Sequence, residues 1–147
     1  MKKMKSLVSL ALVLALSCSL AASASAVKWG SPINTKTKST DYGTLTGKIW
    51  TYVGVMDNGR MEYEPTAETS ISSNYTMVET TVDLECVYDD TGTAPASNWS
   101  DSNTENNQNT AEVSLWFSAD PGRSVTAFST HGITYSKSYA LYMTTEF

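Results

Sequence analysis

Asp101, Asn103, Glu105 and Glu112 occupy positions 1, 3, 5 and 12 of a twelve-residue window. Spaced carboxylates and amides of this kind can wrap a loop around a hard cation, and calcium is the ion they suit. Three features weaken the pattern. Asn106 stands where the sharp turn of such a loop wants glycine, and no helical periodicity flanks the window. Glu112 also falls where strand alternation already calls for a polar residue. The expectation is therefore no cofactor, with calcium on these four residues as the alternative.

Past residue 26 the chain holds one cysteine, Cys86, and one histidine, His131. A Cys–His pair can act as nucleophile and base. Cys86, however, falls on the apolar side of an alternating run, with no helix N-terminus to lower its pKa. Ser129 near His131 sits in no G-x-S-x-G elbow. Zinc would need more Cys or His ligands than two. Gly43 and Gly47 flank a strand pattern and open no helix that could cradle phosphate. Among the fifteen acidic residues, no spacing singles out a catalytic carboxylate pair. A buried thiol and an ordinary strand-end histidine are the expected roles.

The aromatics carry more promise. Trp50 and Tyr52 share one side of a strand pattern whose other side is Ile49 and Val53, and Trp116 lies opposite Leu115 and Phe117. If those sides face water, the rings can stack on sugars or on a partner's apolar surface; the weightier alternative is that they fill the core of a chain short of Leu. Trp99, in a polar stretch, is expected to be the most exposed. Trp50, Tyr52, Trp99 and Trp116 are the candidate binding residues.

The elements that must position these residues read as strands. No window beyond the N-terminus keeps a 3.6-residue apolar period, whereas several keep a period of two. Thr44 to Val55 alternates through Leu45, Ile49, Val53 and Val55. Val78 to Tyr88 alternates through Val82, Leu84 and Cys86, with Glu79, Asp83 and Glu85 opposite. Ala111, Val113, Leu115 and Phe117 form a third run, Val125 and Ala127 open a fourth, and Ile133, Tyr135, Tyr139, Leu141 and Met143 outline the last. Asn58-Gly59 predicts a hairpin. A two-residue loop there would pair Met56 with Met61 and put Trp50 and Tyr52 on the shared apolar side, whereas a longer loop would shift the register and favour Ile49 and Val53. Pro121-Gly122 marks another turn. Pro65 is expected at a sheet edge or strand end, and Gly132 at a bend or bulge. Residues 27–41 read as a flexible N-terminal arm. Residues 89–109, rich in Asn, Ser, Thr and Asp, read as a long polar loop within a single β domain at 42–147.

The first twenty-six residues stand apart. Lysines 2, 3 and 5 precede an apolar run from Leu7 to Leu16, and Ala24-Ser25-Ala26 closes the segment. That is the layout of a bacterial secretory signal peptide, residues 1–26, too short in its apolar run to span a bilayer. Cys18 offers the alternative of a lipid anchor. Three of the ten basic residues fall in this leader and all fifteen acidic ones beyond it, so the remainder carries a net charge of −8. Such a surface repels phosphate backbones, which argues against nucleic acid as a partner. The sequons at Asn74 and Asn98 are assigned no role.

These readings converge on an all-β, antiparallel sandwich of six or seven strands, with a small barrel as the alternative. The expected function is non-enzymatic: a secreted, extracellular binding module for a cell-surface glycan or protein, with no transmembrane segment in the mature chain. A bacteriocin-like or toxin-like protein and a small hydrolase are the alternatives.

Overall fold

The computed structural model describes residues 29–72, 79–88 and 97–147. The leader with Cys18, the Asn74 sequon and the start of the polar stretch, residues 89–96, lie outside the described residues. Within them the chain is all strand and turn. It forms β1 (Trp29–Gly30), β2 (Asn34–Thr40), β3 (Gly43–Val55), β4 (Met61–Ser72), β5 (Glu79–Tyr88), β6 (Ser97–Glu105), β7 (Thr110–Ser114), β8 (Phe117–Ala119), β9 (Val125–Thr134) and β10 (Ser138–Glu146).

Two antiparallel sheets result. In sheet A, β3 and β4 are the long central pair; β1 and β2 both pair along the free side of β3, and β7 and β8 along the free side of β4. Sheet B has the order β10-β9-β5-β6. The core lies between them. Leu45, Ile49, Ala67 and Ile71 come from sheet A, and Val82, Leu84, Cys86, Ala127 and Ile133 from sheet B. The alternation of β3 and β5 produces this directly, because every second side chain must share one face of the pleat.

The hairpin after β3 resolves the register. Met56 donates its N–H to Arg60 O and accepts at its own carbonyl from Gly59 N–H. Gly59 alone of the turn takes positive φ, at 79°. This is a three-residue loop with a bulge, not a two-residue turn. Val55 therefore faces Met61, and Val53 faces Tyr63. The Ile49/Val53 side becomes the shared inner side, and Trp50 and Tyr52 point outward. Val55, expected inside, is 40% exposed at the sheet's end.

Several expectations are corrected. Residues 34–40 are not an arm but strand β2, paired with β3 throughout its length. Both of its faces are solvated at the sheet edge, so no apolar period betrays it. Residues 97–105 of the expected loop form strand β6, in which Asp101, Asn103 and Glu105 on the inner side are as polar as the outward residues, so no alternation shows. The run through Ile133 to Met143 is two strands joined by a turn, and the run from Ala111 to Phe117 is also two. Gly132 neither bends nor bulges its strand; it pairs in register with Ala140 and Thr81. A Cβ there would meet Thr81 Oγ1 at 2.6 Å.

Pro65 lies mid-strand in β4, between β3 and the β7/β8 edge, rather than at an edge or end. Its carbonyl accepts from Leu115 N–H at 3.0 Å. In an antiparallel strand the N–H and C=O of one residue point the same way. The donor Pro65 lacks would thus have completed its pairing with Leu115. The edge is interrupted at that place, between Ser114 and Phe117.

Candidate functional site

The interruption opposite Pro65 positions the most exposed tryptophan for which the structure gives an exposure. Leu115 is tied to Pro65 and Phe117 pairs with Tyr63, so Trp116 between them lies beside Glu64 on the outer face of sheet A. Across β4, Glu64 faces Tyr52, and Tyr52 in turn faces Gly30 of β1. The outer face therefore carries one transverse row: Gly30, Tyr52, Glu64, Trp116. Tyr52 is 49% exposed and Trp116 56%. Their backbones lie two strand spacings apart, roughly 9–10 Å.

Neighbours fix both rings. The Trp116 indole N–H donates to Glu62 Oε1 on β4. The Tyr52 ring edge passes close over Gly30, where an added Cβ would sit only 3.3 Å from it. Trp50, one outward position before Tyr52, is partly covered and faces Thr66. Thr66 is itself 7% exposed and shares a hydrogen bond with Ser114 Oγ at 2.8 Å. Further along the same face Lys48 and Glu68 form an ion pair at 2.7 Å. The arrangement offers two flat apolar surfaces, with carboxylates and hydroxyls between and beside them.

Trp99 departs from expectation. It stands on β6 opposite Cys86, on the inner side of sheet B. Its ring stacks on Phe117 with centroids 4.2 Å apart, and Phe117 stacks on Tyr63 at 5.4 Å. This three-ring stack spans both sheets, so Trp99 belongs to the packing and not to an exposed loop.

Three of the four calcium candidates, Asn103, Glu105 and Glu112, line one surface hollow with Glu68, whereas Asp101 lines a different one. Asp101, Asn103 and Glu105 are alternate residues of an extended strand rather than the start of a wrapping loop. Glu112 is on β7, opposite Glu68. Asn103 Nδ2 donates to Glu105 Oε1 at 3.1 Å and to the Glu112 carbonyl at 2.9 Å. Among the described residues no three His, Cys, Asp or Glu side chains gather closely enough to hold a metal ion.

Cys86 and His131 are both fully buried. Burial among apolar groups pushes the Cys86 thiol up to about 12, which leaves it protonated and a poor nucleophile. His131 is not a strand-end residue; it lies between the sheets. Thr69 Oγ1 spends its single proton on Thr81 O at 3.0 Å, so it accepts from His131 Nδ1–H at 2.9 Å. Nε2 is then the acceptor for Ser129 Oγ–H at 2.8 Å. Burial holds the imidazole neutral and lowers its pKa to about 4. Gly47 makes room for the ring, since a Cβ there would stand 2.5 Å from His131 Cδ2. The sequence did not announce this network; its one trace is a glycine inside a strand pattern, which marks a close approach.

No protein-family model matches this chain, and neither the curated proteins nor the solved structures contain a match to it.

Proposed function

We propose that this chain is a secreted, non-enzymatic binding module that holds a glycan on the outer face of sheet A. The observation that carries the reading is the exposed pair Tyr52 and Trp116, set across the sheet with Glu64 between them. Pyranose rings present flat C–H faces that stack on aromatic rings, and their hydroxyls hydrogen-bond to carboxylates and Thr or Ser side chains. A protein partner is less well matched, because the centres of protein interfaces are depleted of charge, and here carboxylates stand within the aromatic row. The lysine-rich, apolar leader that ends in Ala24-Ser25-Ala26 supports export to where such glycans are met.

Retention on insoluble polysaccharides, including peptidoglycan, chitin and cellulose, tests the proposal. The wild-type chain is expected to be retained on at least one. A chain with both Tyr52→Ala and Trp116→Ala should lose roughly tenfold or more in affinity. Equal retention of the double variant, or no retention of the wild type, would reject the reading.

A further inference from the structure

Sheet B carries a second outer face of quite different character. Its outward positions include Glu79, Asp83, Glu85 and Glu146, and its four strands contain not one lysine or arginine. The register places Asp83 in a row with Thr130, Tyr142 and Ser102, and Glu85 in the next row with Phe128, Thr144 and Ser100. Phe128 is 43% exposed and Tyr142 67%. A groove of about 410 Å³ runs over this region, lined by Asp83, Glu85, Ser100, Ser102, Phe128 and Thr130. That volume falls within the range of small-ligand sites, about 300–1,000 Å³.

We propose that this groove binds an amino sugar within a glycan, a ligand with ammonium groups among its hydroxyls. Charge complementarity sets the sign of the ligand. Asp83 and Glu85 are successive outward positions of one strand, roughly 6–7 Å apart, so an ammonium between them meets a carboxylate on either side. The nearest strand-borne cations, Lys36 and Lys38, donate instead to the backbone carbonyls of Tyr142 and Ala140 at the sheet's edge. Apart from a third acid, Asp101, at the β6 edge, the other polar lining is hydroxyl, which both donates and accepts as sugar hydroxyls require. Phe128 supplies a flat wall.

The backbone decides against an extended basic peptide. β5, beneath the groove, is paired on both sides, with β6 and with β9. A peptide main chain laid there finds no free ladder to join, whereas peptides that bind sheets gain their main-chain hydrogen bonds at an open edge. A saccharide needs only the side chains present.

Calorimetric titration of the full chain separates these occupants. The probes are a tetramer of β-1,4-linked glucosamine, its fully N-acetylated counterpart and tetralysine. The free-amine sugar should bind about tenfold or more tightly than the acetylated one, with an affinity that falls as salt rises. Asp83→Asn with Glu85→Gln should bring it down to the acetylated level. Both residues are exposed and the replacements nearly isosteric, so the amide spectrum should otherwise be preserved. Asp57→Asn, which removes an exposed carboxylate in the hairpin turn of the other sheet, should leave this binding unchanged. Equal affinity for the two sugars, tetralysine binding as tight as the amino sugar, an unaffected Asp83/Glu85 variant, or no binding at all would each overturn the proposal.

Discussion

His131 shows how one buried side chain sets a pH dependence. Its imidazole is held neutral between Thr69 and Ser129, with a pKa lowered from 6.5 to about 4. The unfolded chain therefore takes up this proton at a higher pH than the folded one. The stabilisation is fully present above pH 6.5 and is lost as pH falls towards about 4. Urea unfolding at pH 7 and pH 5 should show a loss of about 2 kcal/mol. His131→Gln should flatten that slope, because ordinary carboxylates titrate mostly below this window. The tryptophans divide in the same residue-level way. Trp99→Ala removes the ring stacked on Phe117 and should cost about 3 kcal/mol of stability. Trp116→Ala touches an exposed ring and should cost under about 1 kcal/mol while weakening ligand binding. Thermal melts of the two variants check the contrast. The sequence misranks them, since Trp99 has polar neighbours while Trp116 stands between Leu115 and Phe117; only the pairing of β6 with β5 places Trp99 inside.

At the scale of elements, the edges decide what the strands can do. An unprotected edge strand invites pairing with another chain. Here β10, the edge of sheet B, has its Ala140 and Tyr142 carbonyls occupied by Lys38 and Lys36 from β2. Replacing both lysines with alanine should leave the fold in place but expose that edge, so size-exclusion chromatography should show concentration-dependent self-association absent from the wild type. β2 is also the element least legible beforehand. A strand that buries no side chain on either face carries no alternation, and its Thr and Lys content reads equally as a solvated arm. β3 and β5 were legible because one face of each is apolar. The hairpin register after β3 was not, since Asn58-Gly59 suits a two-residue turn as well as the bulged loop that forms. Pro65 was misplaced for a related reason. A proline is tolerated inside β4 because the neighbouring edge is broken at the same level, a long-range match that local sequence does not display.

For the whole molecule, the sandwich separates two outer faces. Sheet A presents aromatic rings set among carboxylates with Lys48 paired to Glu68, whereas sheet B presents acids with no strand-borne base. Composition made the all-β class and the excess of acids readable, and alternation set Tyr52 and Trp116 opposite the aliphatic sides of their strands without deciding which side is wet. What it could not supply was their alignment across Glu64, which depends on the pairing of four separate segments. The most direct test of the account is hydroxyl-radical footprinting of the full chain, read by mass spectrometry residue by residue, with and without the glycan that retains it. Tyr52 and Trp116 should be labelled readily in the free protein and protected on binding, while Trp99 stays poorly labelled in both. Strong labelling of Trp99, or ligand protection that leaves Tyr52 and Trp116 unchanged, would contradict it.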